Sequence, residues 1–228
     1  MIPIGRLHVI TDEMLESRRS HLDAARLAAE GGADVVQYRE KRPLTTRELV
    51  QVATSLRVAL PRAVQLIVDD RPDVALAAGA EGVHLGRDDL EPQWARAILG
   101  AGRAIGGTAN SVEEARAWFR RPIDYLGVGP VYGTTSKHNP APPLGLEALA
   151  RIAREAPVPV IAIGGITPER VAEVMAAGAY GIAVLSGVIH AVDPRAATAG
   201  FRAALDRARE REGSRPMSKA VTMNEDAR

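Results

Sequence analysis

The chain contains no cysteine among its 228 residues. This absence excludes disulfide bonds, thiolate metal ligands and a cysteine nucleophile. An excess of charge of one sign is also missing, because 29 lysine and arginine residues stand against 28 aspartate and glutamate residues. A balanced chain has no overall field that draws it to nucleic acid or to an anionic membrane. Any attraction for phosphate groups must therefore be local.

Long hydrophobic segments are absent as well. No run approaches the roughly 18 apolar residues of a membrane span, and the first residues lack the apolar stretch of a signal peptide. We therefore expect a cytoplasmic protein that binds neither membrane nor nucleic acid. Apolar residues make up 46% of the chain, which is enough for one sizeable core. We predict one catalytic domain over residues 1–212 and a polar, disordered tail over residues 213–228.

Eight short apolar runs recur along the chain with helical patterns between them. Nearly continuous apolar runs are typical of parallel strands that are covered on both faces. The predicted strands span residues 7–10, 35–38, 66–68, 82–85, 104–107, 125–128, 160–163 and 181–185. The predicted helices span residues 21–30, 45–60, 72–78, 90–99, 111–120, 146–155 and 168–177. This alternation predicts an α/β protein with a single (β/α)8 TIM barrel, and a doubly wound open sheet is the alternative.

Two of the predicted helices carry a capping-box signal at their start. Thr45 and Ser111 are each followed three residues later by a glutamate, Glu48 and Glu114. In a capping box the hydroxyl accepts from a backbone N–H and the glutamate returns a bond to the first residue. The signal fixes where these two helices begin.

Two glycine-rich strand ends, at residues 163–166 and 184–187, lie about twenty residues apart. Between them Thr167 is the predicted N-cap of a helix, with Pro168 at its first position. In a (β/α)8 barrel the loops after strands 7 and 8 commonly form a phosphate site, where backbone N–H groups face the anion. These turns predict a ligand that carries a phosphate.

Polar side chains follow the second predicted strand. Alternation along a strand places Gln37, Arg39 and Lys41 on one face. Two cations and an amide at the mouth of a barrel suit a polyanion. A solvated run of surface charge is the structural alternative.

Acidic residues follow the third and fourth strands. Asp69 and Asp70 come after the third strand, and Asp88 and Asp89 come after the fourth. Carboxylates on adjacent strand ends are suited to Mg²⁺, whose shell is completed by water and diphosphate oxygens. The alternative is that these residues cap the helices that follow. His84, within the fourth strand, is predicted to be a packed residue with one hydrogen bond rather than a catalyst.

A long loop over residues 129–143 follows the sixth strand. Loops of more than about 12 residues without secondary structure are usually lids or binding loops. Its hydroxyl groups and Lys137 can donate hydrogen bonds to a phosphate, so we expect a lid that closes over bound phosphates.

Together these segments resemble the thiamine phosphate synthase (thiamine-phosphate pyrophosphorylase) family, in the family's order and spacing, over roughly residues 7 to 205. The segments are Gln37-Tyr38-Arg39-Glu40-Lys41, Asp69-Asp70-Arg71, residues 82–89, residues 124–132, Thr134-Thr135-Ser136-Lys137 and Gly164-Gly165-Ile166-Thr167. The resemblance implies a TIM-barrel transferase that joins a pyrimidine methyl diphosphate to a thiazole phosphate, or to its carboxylated tautomer, and releases pyrophosphate. It also implies Mg²⁺ as cofactor and small phosphorylated molecules as partners, and it leaves a homodimer open.

The resemblance further implies a role for each matching residue. Asp70 and Asp89 are implied as the Mg²⁺ ligands, and Arg39, Lys41 and Lys137 as the groups that act on the leaving diphosphate. The implied contacts to the pyrimidine diphosphate are Gln37, Tyr38, Arg39, Glu40, Lys41, Asp69, Thr108 and Lys137. The implied contacts to the thiazole phosphate are Thr134, Thr135, Ser136, Gly165, Leu185 and Ser186.

The chain departs from the family's commonest pattern at a few positions. Asp69 stands where the family usually has asparagine, which places an additional carboxylate near the diphosphate. Thr108 replaces a serine and keeps the hydroxyl. Two other functions are alternatives, a thiazole tautomerase of the same superfamily and a barrel that binds phosphorylated ligands without catalysis. The acidic pair and the basic residues after the second strand favour the synthase over the tautomerase.

Overall fold

The computed structural model describes residues 3–16, 18–134 and 141–213. Eight parallel strands form a closed barrel in sequence order, with β8 paired to β1. The strands are β1 (Leu7–Thr11), β2 (Val35–Tyr38), β3 (Gln65–Asp69), β4 (Gly82–Leu85), β5 (Ala104–Ala109), β6 (Tyr125–Val128), β7 (Val160–Ile163) and β8 (Gly181–Val184). The predicted TIM barrel is confirmed.

Helices follow the strands and cover the outside of the barrel. They are α1 (His21–Glu30), α2 (Thr46–Ala59), α3 (Pro72–Ala77), α4 (Pro92–Leu99), α5 (Val112–Trp118), α6 (Gly145–Glu155), α7 (Val171–Ala176), α8 (Ser186–Ile189) and α9 (Pro194–Gly213). Among the described residues, none of the helices combines the length and the apolar character that a membrane span requires. Because α9 continues to Gly213, it passes the predicted domain boundary at residue 212 by one residue. Residues 214–228 of the predicted tail lie outside the described residues.

The apolar residues form two layers. The larger layer lies between the strands and the surrounding helices. The smaller one fills the barrel interior with Ile4, Ile10, Val35, Ile67, Ala104, Tyr125, Ile161 and Ala183. Alternation along each strand separates the two layers, since successive side chains point to opposite faces. Polar side chains are thereby left at the carboxyl ends of the strands.

The helix starts confirm the predicted capping box at Thr45. They differ in part from the predictions for Ser111 and Thr167. Thr45 and Glu48 form the complete box at α2. At α5, Ser111 Oγ accepts from Glu114 N, but the Glu114 carboxylate accepts from Asn110 N at 2.7 Å instead of returning the bond to Ser111. Thr167 occupies the predicted N-cap position and Pro168 follows at the first helical position, but the Thr167 side chain makes no capping bond. A 3₁₀ turn over Pro168–Arg170 follows it, and α7 begins only at Val171.

Candidate active site

The carboxyl ends of the strands bring four predicted residues to the interior of the barrel mouth. Gln37 and Asp69 lie on the neighbouring strands β2 and β3, and Gln37 Nε2 donates to Asp69 Oδ1 at 2.6 Å. Thr108 lies on β5, and its hydroxyl is 2.7 Å from His84 Nε2 on β4. Arg39 follows β2, and its backbone N–H donates to Thr11 O at 3.1 Å, which continues the pairing with β1. The mouth is therefore lined by polar groups from adjacent strands.

Arg39 and Lys41, the two cations predicted to act on the diphosphate, are each held by an acidic partner. Arg39 Nη1 donates to Asp12 Oδ2, and Lys41 Nζ donates to Asp70 Oδ2. Both cations remain accessible, with 18% of the Arg39 side chain and 42% of the Lys41 side chain exposed. This pairing places two ordered positive charges at the mouth of the barrel, as expected for a site that receives a polyanion.

Asp70 and Asp89 form a carboxylate pair. Burial, the charge of Asp70 and a hydrogen bond with Asp70 raise the pKa of Asp89, although the N–H of Gly86 that donates to Asp89 Oδ2 at 2.6 Å opposes the shift. Asp70 has φ of +65°, a backbone conformation that is uncommon outside glycine. The structure excludes the helix-cap interpretation, because the N-cap positions of α3 and α4 are occupied by Arg71 and Glu91.

The donor chemistry of this pair fits Mg²⁺. Two carboxylates raise each other's affinity for a cation, and in this structure Lys41 supplies the positive charge next to Asp70. No cluster of three or more acidic or histidine ligands occurs within residues 3–16, 18–134 and 141–213. Mg²⁺ is usually held by one or two carboxylates together with water and substrate phosphates, so two ligands are enough.

Asp69 is in a different environment from Asp70. Burial, followed by the charge of Asp70, raises the pKa of Asp69 to about 8, against the opposing effect of its hydrogen bond from Gln37. A carboxyl group with this pKa exists largely in the neutral form near neutrality. Its chemistry there approaches that of the asparagine expected at this position.

His84 connects two strands inside the barrel. Its Nδ1 lies 3.0 Å from Tyr125 Oη, and its Nε2 lies 2.7 Å from Thr108 Oγ1. Gly106 makes room for this arrangement, because a Cβ there would lie 2.1 Å from Tyr125 Cζ. The predicted packed histidine with one hydrogen bond therefore has two such contacts, and it fixes the side chain of Thr108.

The glycine turn after β7 lies beside the start of α8. β7 and β8 are neighbours, with Ile163 opposite Ala183, so Gly165 and Ser186 follow adjacent strand ends. Gly165 has φ of +64°, and a Cβ on it would lie 2.7 Å from Gly133 O. The first N–H groups of a helix have no carbonyl partner within it, and Leu185 occupies the N-cap position of α8. This arrangement suits the predicted phosphate site.

The loop after β6 is fastened to the glycine turn at its base. Tyr132 N donates to Gly164 O at 3.1 Å, and Tyr132 Oη donates to Glu173. The Arg170 guanidinium stacks on the Tyr132 ring at 4.3 Å and donates to Gly165 O at 2.8 Å. Thr134 lies just beyond this anchor. The predicted contacts Thr135, Ser136 and Lys137, and with them the centre of the predicted lid, lie outside the described residues.

Two predicted contacts, Tyr38 and Glu40, face away from Gln37 and Arg39. Tyr38 is buried between the strands and the helices, with its ring edge-on to His21 at 4.7 Å between centroids. Glu40 forms an ion pair with Arg42, and its Oε2 lies 3.3 Å from His21 Nε2 on the same side. Alternation along β2 turns both side chains away from Gln37 and Arg39. Their side chains therefore stabilise the outer layer of the barrel and do not line its interior.

Asp12 belongs to the mouth but was not among the predicted residues. It follows β1, is only 3% exposed and holds Arg39. The available signal was its position, because Asp12 comes directly after a strand, as Asp70 does. A lone aspartate before a loop is equally typical of a turn, so this signal is weak.

Comparisons with known proteins identify the family of this chain. A family model described as thiamine monophosphate synthase matches residues 7–188. The thiamine-phosphate synthase of Salinibacter ruber is 48% identical over 203 residues, which are 89% of each chain. That of Chloroflexus aurantiacus is 47% identical over 87% of this chain and 91% of its own.

A solved structure extends the agreement to three dimensions. The thiamine phosphate pyrophosphorylase from Pyrococcus furiosus superimposes with a TM-score of 0.81 at 38% identity, over 89% of this chain and 96% of its own. The family model matches most of the chain, and both relatives share nearly half of their aligned residues with it over most of its length. The chain belongs to the thiamine monophosphate synthase family.

Proposed function

We propose that this chain joins a pyrimidine methyl diphosphate to a thiazole phosphate to give thiamine phosphate and pyrophosphate. When the carboxylated tautomer takes the place of the thiazole phosphate, its carboxyl group also leaves as carbon dioxide. The observation that carries the proposal is the mouth of the barrel. There the Asp70–Asp89 pair and the cations Arg39 and Lys41 lie on one side, and the glycine turn at Gly165 lies on the other. A site with these two halves suits two phosphorylated substrates.

We assign the diphosphate half of the reaction to the β2, β3 and β4 ends. Asp70 and Asp89 would hold Mg²⁺, which supplies positive charge to the leaving diphosphate. Arg39 and Lys41 bind the diphosphate oxygens, with Lys137 as a further predicted contact. Gln37, Asp69 and Thr108 orient the pyrimidine. Thr134, Ser136, Gly165 and Ser186 bind the thiazole phosphate.

The proposed reaction is a dissociative displacement at the pyrimidine methylene. The bond from the methylene carbon to the diphosphate oxygen breaks, and its electron pair leaves with the diphosphate. The aminopyrimidine ring delocalises the resulting cation, and the thiazole nitrogen then uses its lone pair to form the new carbon–nitrogen bond. No protein nucleophile is needed, so the side chains stabilise the departing charge and hold the two substrates in line.

Substitutions of the acidic pair test this assignment. Asp70→Asn suits the left-handed backbone, which asparagine tolerates, and Asp89→Asn keeps an oxygen for the N–H of Gly86. Each variant should lower pyrophosphate release on the order of 100-fold, with part of the loss restored at high Mg²⁺. Asp88→Asn, next to Asp89 but exposed, is the matched control and should keep wild-type activity.

The same assay separates the alternatives. Wild-type rates in both Asp70→Asn and Asp89→Asn would show that the metal assignment is wrong. Interconversion of thiazole tautomers without the pyrimidine diphosphate, and no pyrophosphate release with it, would identify a tautomerase. Calorimetric binding of both substrates without any turnover would identify a binding protein. Location in the cytoplasm and a homodimer remain predictions, which fractionation and sedimentation can check.

A further inference from the structure

Asp12 differs from the other acidic residues at the barrel mouth because both of its carboxylate oxygens are occupied within the fold. Oδ1 accepts from the backbone N–H groups of Met14 at 2.9 Å and Leu15 at 3.2 Å. Oδ2 accepts from Arg39 Nη1. A carboxylate that is saturated in this way is not available as a third metal ligand.

Arg39, the partner of Asp12, is held through both its backbone and its side chain. The backbone N–H of Arg39 donates to Thr11 O, next to Asp12, and the guanidinium donates to the Asp12 carboxylate. The Asp12 side chain has no solvent exposure, whereas 18% of the Arg39 side chain is exposed. One edge of the guanidinium is therefore bound to a buried anion, and the rest of the group reaches the mouth of the barrel.

The second cation, Lys41, is held much more loosely. Its partner Asp70 is 26% exposed and is the proposed ligand of Mg²⁺, so this ion pair must rearrange when the metal binds. The Asp12–Arg39 pair has no such competing role. It can stay intact through the reaction, which allows Arg39 to meet the developing charge without reorganisation.

We propose that Asp12 is a positioning residue that holds the Arg39 guanidinium in place for the departing diphosphate. The proposal rests on the diphosphate role of Arg39 given above. A free arginine side chain loses rotamer freedom when it engages a ligand, and an arginine already held by a buried carboxylate has lost that freedom on folding. The contribution of Asp12 therefore appears in the rate of the chemical step more than in substrate affinity.

A double-mutant cycle between Asp12 and Arg39 tests this inference. Asp12→Asn retains a side-chain oxygen for the N–H groups of Met14 and Leu15 but removes the charge that holds the guanidinium. We expect kcat to fall about tenfold, while KM for the pyrimidine diphosphate changes by less than about threefold. In an Arg39→Gln background, Asp12→Asn should cause no further loss of the residual kcat, because the group that it positions is gone.

Asp34 provides the matched control at the opposite end of the barrel. Its Oδ2 also accepts from two backbone N–H groups, those of Arg6 and Leu7, and from an arginine, Arg202. Asp34→Asn should lower the unfolding temperature and leave kcat unchanged. If Asp12→Asn does not fold, Asp12→Ser keeps a smaller acceptor for the turn and enters the same cycle.

The outcomes distinguish the two proposals. Equal losses of kcat from Asp12→Asn in both backgrounds, or an unchanged kcat in the single variant, would overturn the positioning role of Asp12. An Arg39→Gln variant with wild-type kcat would instead overturn the diphosphate role of Arg39. If Asp34→Asn lowers kcat as much as Asp12→Asn for the same decrease in unfolding temperature, the loss comes from lower stability and Asp12 merely stabilises the turn.

Discussion

At the end of β3, two consecutive aspartates have opposite surroundings. Asp70 faces Lys41 and Asp89, whereas Asp69 points into the barrel and accepts from Gln37. The two side chains point in different directions for two reasons. Strand alternation continues to Asp69, and Asp70 has a left-handed backbone conformation. One residue is therefore suited to a cation, and its neighbour is suited to contact an uncharged ring.

The Asp69→Asn variant tests whether the carboxylate at this position serves a purpose of its own. The amide keeps an acceptor for Gln37 Nε2 and, like the largely neutral carboxyl group of Asp69, carries no charge that repels a diphosphate. We expect KM for the pyrimidine diphosphate to stay at the wild-type value or to fall by up to about threefold, with kcat unchanged. Asp69→Ala removes the acceptor as well and should raise KM. Steady-state kinetics with a KM for Asp69→Asn well above wild type would show that the chain requires the carboxylate.

Alternation along β2 was sufficient to predict which face carries Gln37 and Arg39. The same rule turns Tyr38 and Glu40 outward, and only the resemblance, which matches segments rather than side-chain directions, placed them in the site. Asp12 could not be predicted, because its contact with Arg39 depends on the register of β1 against β2. This register depends on the closure of the whole barrel, so it cannot be predicted from the sequences of the two strands alone.

At the scale of elements, the apolar runs predicted every strand of the barrel. Most differences are at the ends. β3 extends by one residue in each direction, to Gln65 and Asp69, because ladder hydrogen bonds continue past the last apolar side chain. The start of α7 was less predictable. Arg170 N bonds to Thr167 O and closes a 3₁₀ turn, and proline followed by glutamate is compatible with either type of helix.

The turn after β7 and the loop after β6 form one structural unit, and Gly165→Ala tests it. An added Cβ would lie 2.7 Å from Gly133 O and 2.9 Å from Tyr132 Cβ, so the base of the loop must move. We expect KM for the thiazole phosphate to rise about tenfold, with KM for the pyrimidine diphosphate nearly unchanged.

Gly79→Ala is the control for backbone strain. Gly79 also has a positive φ, +69°, but a Cβ there would meet nothing within 4 Å. This variant should lose about 1 kcal/mol of stability and keep both KM values. Equal kinetic effects in the two variants would show that strain, not contact with the loop, explains the result.

On the scale of the whole molecule, the two ends of the barrel differ in kind. Charged side chains lie at the mouth, whereas the other end is closed by Ile4, Val35 and other apolar side chains. His8 lies in this closed part, 1% exposed, with its ring 5.5 Å from that of Tyr125. Stability at low pH therefore depends on a residue remote from the proposed chemistry.

His8 makes the barrel sensitive to acid. Its Nε2 donates to Gly5 O at 3.0 Å, and its buried Nδ1 has no hydrogen-bond partner in the described part of the chain. Burial lowers the pKa of His8 from 6.5 to about 4, although the Gly5 carbonyl and Asp34 oppose the shift. Between these two values the unfolded chain binds a proton that the folded chain does not bind. The free energy of unfolding must therefore fall as the pH falls from 6.5 towards 4.

Chemical denaturation at pH 7 and at pH 4.5 measures this contribution in the wild type and in His8→Gln. One pKa unit corresponds to about 1.4 kcal/mol, so the wild type should lose up to about 3 kcal/mol more than the variant over this range. Glutamine also changes the packing around position 8, so the two proteins can differ in stability at pH 7. This difference does not affect the test, because the quantity compared is the change in unfolding free energy between the two pH values. His190→Gln, which removes an exposed histidine, should retain the wild-type pH dependence. If His8→Gln loses as much stability as the wild type on acidification, the acid sensitivity arises from other groups and the neutral, buried imidazole is not its cause.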